Sequence, residues 1–400
     1  MNAFSVAQIG AREHYAVARA LHAQGLLARL YTDAWSPPLR PLLMRGPAPA
    51  RGLAGRFHPG IPRSKITAFT AATLLRQASA GHAGTVEDAF VRHANIGRDF
   101  CRRVNRTLAR HLGPGGTYFG YDTGCLETLP LVRDLGGRSI VDQIDPARTE
   151  QDIVLEECAR FPGWQAVPGK IPDVYYERLS REWALCDRVV VNSGWSRDAL
   201  AAQGVPAQKI AVLPLAYEPP ANLPRRPERR PGDPLRVLFL GQIILRKGIP
   251  YLFEAARLLA GENIRFTLAG PLGISEQAMA AMPPNIRHAG RVTREQLTAT
   301  YMAHDVFVLP TLSDGFAITQ LEAMAHGLPV VATPCCGEVV RHGENGFIVP
   351  ARNAAETAGI LAKMAADPGL CAALSGEAVR TAASFSLGRL GANLLALGQA

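Results

Sequence analysis

At 400 residues, with 48% hydrophobic side chains and a mean hydropathy of +0.03, the sequence excludes a disordered or fibrous chain. No apolar run approaches the ~18 residues of a spanning helix, and the length exceeds what one core usually supports, so two domains of roughly 200 residues are expected. The net charge of +9 comes with no nucleic-acid recognition motif or aromatic platform, which argues against a nucleic-acid partner.

Strands and helices alternate from the start. Residues 4–9 read as an apolar strand, residues 13–24 as a helix closed by Gly25, and residues 27–32 as the next strand. Gly10, between the first strand and the first helix, either lets the backbone approach a ligand phosphate or serves as an ordinary tight turn. The N-terminus, MNAFSVAQIGAREHY, lacks the basic start and long apolar stretch of a secretion signal, so a cytoplasmic protein is expected. Between Asp33 and Glu87 there is no acidic residue. Arg40, Arg45, Arg51, Arg56, Arg63, Lys65 and Arg76 are interleaved there with Leu39, Leu42, Leu43, Met44, Leu53, Phe57 and Ile61. Such a segment suits an anionic membrane surface, an acidic glycan or a lipid diphosphate; a solvated loop rich in Pro and Gly gives the same pattern. Further strands are expected over 117–121, 139–141 and 188–192. Asp142 follows the second of these, with Asp145 ahead of Pro146. A carboxylate at the end of a central parallel strand lies where an α/β protein meets its ligand. Asp142 is the candidate, because Asp145 fits a helix N-cap equally. Arg12 and His14 are further candidates for phosphate or acceptor contacts.

Residues 216–234, AYEPPANLPRRPERRPGDP, form a Pro/Arg-rich linker with almost no apolar pattern, between an N-terminal domain (1–215) and a C-terminal one (235–385). Beyond it, strands are expected over 235–240, 265–269, 286–289, 306–309 and 330–332, with a helical run over 250–260. The class is therefore α/β: two Rossmann-like, doubly wound parallel-sheet domains with a cleft between them. Gly241 and Gln242 close the first of these strands, and Arg246-Lys247-Gly248 precede the helix. Two cations there would hold a diphosphate and offset the charge building on a leaving group; two solvated loop cations would look the same. The strand over 306–309 leads through Asp314 into a helix carrying Glu322 in its first turn. This unit sets the free N–H groups of a helix start beside two carboxylates, a setting for a phosphate and for sugar hydroxyls. An acidic residue early in a helix also complements the dipole without any ligand. The seven cysteines are scattered, with no CxxC pair, and read as reduced thiols; neither they nor the ten histidines show metal-ligand spacing.

Residues 314–331, DGFAITQLEAMAHGLPVV, resemble the retaining glycosyltransferases of family 4 (glycosyl transferases group 1). The hallmark of that family is two glutamates with seven residues between them, in the setting EGFG…LEAMA-G-PVV, and Asp314 and Glu322 have this spacing. The resemblance extends more loosely to residues 9–15, to 186–200 and to Phe385-Ser386-Leu387. It implies the GT-B architecture, with residues 386–400 as a helix packing back on the first domain. It also implies that Glu322 binds the ribose of a nucleotide and that Asp314 lies against the donor sugar, near Phe316, Ala317, Ile318 and Thr319. Lys247 and Arg246, with Gly241, Gln242 and Gly10, would meet the donor diphosphate, and Asp142 would face the transferred sugar or the acceptor. The sequence departs from the family at Asp314, usually Glu, at Ala317, usually Gly, and at Gln242, usually Arg; Arg246 is placed to supply the second charge. The activity implied is metal-independent, retaining transfer of a hexose from a nucleoside-diphosphate sugar to an alcohol on a glycan or lipid, with no cofactor beyond the donor. A sugar-nucleotide epimerase on the same architecture and a catalytically silent nucleotide-sugar-binding subunit are the alternatives. A dehydrogenase is disfavoured because no GxGxxG follows a strand.

Overall fold

The computed structural model describes residues 3–399 apart from 37–39, 47, 80–83, 167–168, 225, 227–228 and 231. Short apolar runs build a first sheet from β1 (Phe4–Gln8), β2 (Leu27–Thr32), β3 (Ile66–Ala68), β4 (Thr117–Tyr121), β5 (Arg138–Gln143), β6 (Arg188–Val191) and β7 (Ile210–Val212). A second sheet contains β8 (Leu235–Leu240), β9 (Ile264–Ala269), β10 (Ile286–Gly290), β11 (Val306–Leu309), β12 (Val330–Ala332) and β13 (Gly346–Ile348). The strand pairs in both sheets are parallel. Strands β1, β4 and β11 are buried along their whole length, as parallel strands covered by helices on both faces must be.

The strand orders are β3-β2-β1-β4-β5-β6-β7 and β10-β9-β8-β11-β12-β13. In each sheet the chain runs outward from a central strand, then returns and builds in the other direction. This creates one switch point between β1 and β4 and another between β8 and β11. Open α/β sheets meet their ligands at the carboxyl ends of strands at such points. The loop after β1 carries Gly10 to Tyr15, and the loops after β8 and β11 carry Gly241 to Lys247 and Pro310 to Ile318.

The chain crosses between the two halves in both directions. Leu390 and Leu394, on the C-terminal helix Leu387–Gln399, join the core of the first sheet with Leu21 and Phe119. That helix packs against the helix Ala16–Ala23. Burying a leucine contributes about 1.5–3 kcal/mol, so these two residues attach the last helix firmly. In return, Trp164 packs on the second core, its ring centroid 5.7 Å from that of Phe253.

Three local expectations are corrected. The helix expected from residue 13 begins only at Ala16, because Glu13, His14 and Tyr15 take φ of 49°, 51° and 63°. Left-handed non-glycine residues cost roughly 1–2 kcal/mol each. Tertiary packing offsets part of this, since Tyr15 is buried with its ring 5.1 Å from Trp35. The basic span after Asp33 is not one loop; it carries the helices Arg40–Met44, Ala48–Ala54 and Thr70–Ser79 as well as β3. Asp145 does not cap the helix Arg148–Arg160, whose N-cap is Ala147. Its Oδ1 instead accepts from the Ala147 backbone N–H at 2.9 Å and from Gln143 Nε2 at 3.2 Å.

Candidate active site

The cations after β8 are set by a close backbone approach. Gly248 has φ 73°, and a Cβ there would lie 1.9 Å from the Pro310 carbonyl oxygen. Only glycine allows the 3-10 turn Leu245–Lys247 to lie against the loop after β11. Leu245 is buried, and the two residues after it reach that loop. Lys247 Nζ is ion-paired with Asp314 Oδ2. Arg246 Nη1 donates to the Ser313 carbonyl at 2.7 Å and lies 3.1 Å from Glu150 Oε2, which comes from the N-terminal domain.

These groups border a cleft of about 380 Å³ between the two domains. Its C-terminal wall contains Gly241, Gln242, Arg246, Lys247, Asp314, Phe316, Ala317, Ile318 and Thr319; Glu13, Ile144, Asn192 and Leu215 face them. The structure thus gathers most of the sequence-derived donor residues at one place. Ala317 takes φ 60°, which is the physical reason a glycine is favoured at that position. Glu322 lies further along the helix Thr319–Ala325, outside the cleft lining. Its Oε2 accepts from the buried Tyr301 hydroxyl at 2.8 Å, and Tyr301 stacks on His326 with centroids 4.8 Å apart. Burial, reinforced by the Glu322 charge, holds the Tyr301 phenol protonated as the donor of that bond.

Gly10 is not brought to the cleft. Its N–H donates to Asp33 Oδ1 at 2.8 Å, and the space of a side chain is filled by the Arg56 guanidinium, 2.7 Å from where a Cβ would stand. Its left-handed φ of 95° is therefore accounted for by contacts within the N-terminal domain. His14 lies at the domain boundary, where its Nε2 accepts from Arg294 Nη2 at 2.8 Å. Burial, then the Arg294 charge, lower its basicity.

Asp142 is also outside the cleft lining, at the end of β5 and only 2% exposed. Its Oδ1 has no hydrogen-bond partner among the described residues. Burial, then the neighbouring Glu13 charge, push it up to about 8, against the pull of Arg12. Glu13 itself is raised to about 7 by burial, with Arg12 opposing. Arg12 stands 5.4 Å from the centroid of the Tyr121 ring, and both Arg12 Nη1 and the Tyr121 hydroxyl are buried without hydrogen-bond partners among the described residues. Unpaired buried polar groups each cost about 1–3 kcal/mol. Three such atoms, on Asp142, Arg12 and Tyr121, come from the carboxyl-end side of the first sheet.

Glu13, Glu150 and Tyr301 were missed by sequence reasoning. Glu13 had a signal, because it lies in the loop after the first strand. Glu150 and Tyr301 had none, since each meets its partner through tertiary packing.

Residues 234–367 match the family model described as glycosyl transferases group 1, which bears out the resemblance over the C-terminal domain. The amylovoran biosynthesis glycosyltransferase AmsK of Erwinia amylovora is 30% identical over 181 residues, covering 41% of this chain and 44% of that protein. A D-inositol 3-phosphate glycosyltransferase of Thermobispora bispora is 29% identical over 271 residues, covering 60% of this chain and 62% of that protein. The chain thus spans about half the length of the curated relatives it matches. Among solved structures, Anabaena Alr3699/HepE in complex with UDP superposes with a TM-score of 0.64 at 16% identity, over 99% of each chain. The apo lipopolysaccharide outer core galactosyltransferase WaaB gives 0.61 at 14% identity, over 100% of each chain. At these identities the likeness is one of fold, and the fold is GT-B.

Proposed function

We propose that this chain is a retaining glycosyltransferase that moves a hexose from a nucleoside-diphosphate sugar to an alcohol acceptor without a metal ion. The observation that carries the reading is the pairing of Lys247 with Asp314 and the placing of Arg246 at one cleft, beside the helix that bears Glu322. A diphosphate entering the cleft finds two cations to replace the counter-charge it leaves in water. As the bond from the anomeric carbon to the phosphate oxygen breaks, negative charge builds on that oxygen, and Lys247 is fixed in advance to meet it. The acceptor hydroxyl attacks the same face of the sugar and passes its proton to the departing phosphate. The enzyme's contribution is position and charge rather than a covalent intermediate. Asp314 would accept from donor-sugar hydroxyls and Glu322 from the ribose, while Asp142, Glu13 and Arg12 would receive the acceptor.

The solved neighbour of the same fold, Anabaena Alr3699/HepE, has been captured in complex with UDP-glucose, which makes that the first donor to try. The name of the relative in amylovoran biosynthesis favours a glycan or lipid-linked glycan as acceptor. Incubation with a panel of nucleotide sugars and alcohol acceptors, with products resolved by mass and anomeric configuration, tests the reading. A new α-linked product from an α-linked donor supports it. A free epimer would point to an epimerase, and binding without turnover to a silent subunit.

We also propose that the basic span after Asp33 lies on an anionic membrane surface at the inner face, bringing the cleft to a lipid-borne acceptor. No helix among the described residues is long and apolar enough to cross a membrane. Leu42, Met44, Leu74 and Leu75 are exposed in the acid-free span. The span is tied to the loop after β1: Arg56 faces Gly10, and Trp35 packs between Tyr15 and Phe57. Sedimentation with anionic vesicles is expected to carry the protein down, with binding weakening as salt screens charges beyond about 8 Å. Equal partitioning into neutral vesicles would sink the idea.

A further inference from the structure

Glu150 belongs to the N-terminal domain, yet its carboxylate binds a donor-site cation of the other domain. It lies in the first turn of the helix Arg148–Arg160. Its Oε2 is 3.1 Å from Arg246 Nη1 and accepts from Ser313 Oγ at 3.3 Å. The same Arg246 Nη1 donates to the Ser313 carbonyl at 2.7 Å. The Arg246 backbone carbonyl accepts from the Leu312 N–H at 2.8 Å. One nitrogen of the guanidinium is thus tied both to the loop that bears Asp314 and to the facing domain.

A guanidinium is a rigid planar fork of N–H donors, so holding one nitrogen on two acceptors fixes the plane of the rest. Arg246 lines the cleft, as does the uncharged Gln242. Glu150 has no need to dock its own helix. Further along, Glu157 binds Arg352 Nε at 2.7 Å and the Tyr251 hydroxyl at 2.9 Å. Glu156 takes Arg352 Nη2 at 2.6 Å. The docking has its own anchors, which leaves the Glu150 contact to act on Arg246.

We propose that Glu150 is a positioning residue. It holds Arg246 so that the remaining N–H groups of the guanidinium meet the donor's diphosphate, and Arg246 thereby supplies the charge that Gln242 lacks. The proposal rests on the donor reading above and deepens it by assigning a residue of the acceptor domain to the donor site. It also couples the two domains, because Arg246 is correctly aimed only while the helix Arg148–Arg160 is seated against it.

The test is calorimetric titration with UDP, and with GDP and ADP as parallel arms, of the wild type, Glu150→Gln, Arg246→Ala and the double variant. Donor KM and kcat are measured alongside. Glu150→Gln keeps the shape of the side chain and removes its charge. It is expected to weaken nucleoside-diphosphate binding on the order of tenfold and to raise donor KM more than it lowers kcat. The double variant is expected to bind no more weakly than Arg246→Ala alone, because Glu150 acts through that side chain. Tighter binding by Glu150→Gln would mean that the carboxylate competes with the diphosphate for Arg246, and overturns the proposal. Additive losses in the double variant overturn it too, since they would assign Glu150 a merely structural role. If the wild type bound none of the three nucleotides, the donor reading itself would fall first.

Discussion

Lys247→Ala is expected to lose about two to three orders of magnitude in turnover while the protein stays folded. The lysine sits in a 3-10 turn locked by Gly248 against Pro310, with only 14% of its side chain exposed. Its charge is balanced by Asp314, which is itself only 17% exposed. Removing the lysine leaves that carboxylate in a cleft that water can enter, so the stability cost is modest. The cost to the reaction is larger. A donor aimed in advance at the breaking phosphate bond contributes at the moment charge develops, and among the described residues no other lysine lines the cleft. Under saturating donor the loss should appear in kcat, with the thermal midpoint within a few degrees of wild type. Wild-type turnover by this variant would remove Lys247 from the mechanism. The same measurement on Arg246→Ala shows how far Arg246 offsets the glutamine at position 242.

Five of the six strands of the second sheet were readable, and β13 was not; a parallel strand buried on both faces needs an unbroken apolar run. β11 and β12 fall where the runs over 306–309 and 330–332 place them. The same reading placed the loops that carry the chemistry, whereas the strand orders, and with them the two switch points, come from the sheet topology. What escaped it was conformation that residue type does not announce. Glu13, His14 and Tyr15 carry no preference for a left-handed backbone, yet all three adopt it because Tyr15 is drawn into the core beside Trp35. The Arg40–Met44 helix escaped because its short run contains a proline, which is tolerated in a first helical turn. Contacts across the cleft escaped for another reason. Glu150 and Arg246 are 96 residues apart, and no local periodicity records which of several acids on a helix will face the other domain. Gly10 shows the opposite error: a glycine in the expected loop, with a positive φ, is occupied by Asp33 and Arg56 and does not reach the cleft.

Gly315→Ala is expected to cost transfer roughly 100-fold by forcing the two domains apart. Gly315 is buried between Asp314 and Phe316, on the loop that closes the donor site. A Cβ there would stand 2.0 Å from the Ile144 carbonyl oxygen and 3.8 Å from Asp145 Cα. Both neighbours are backbone of the N-terminal domain, so no side-chain rotation relieves the clash. Either the loop after β11 or the segment after β5 has to move, and a displacement of about 1 Å at a reacting centre costs on the order of 10² in rate. The change should act on transfer more than on nucleotide binding, because Lys247 and Glu322 belong to the C-terminal domain and move with its loops. Gly359→Ala is the matched control. It stands exposed in the helix Ala354–Ala366 with nothing within 4 Å of a new Cβ, and should stabilise by about 0.5–1 kcal/mol through helix propensity. A Gly315→Ala protein that transfers sugar at the wild-type rate would show that the two loops part freely during turnover. Full loss of UDP binding would show instead that the alanine collapses the donor loop. The expected pattern lies between these, with UDP affinity reduced by no more than the roughly tenfold that loss of the Glu150 contact to Arg246 brings, and kcat/KM for the acceptor reduced further, because the cleft must close on two substrates held by opposite walls.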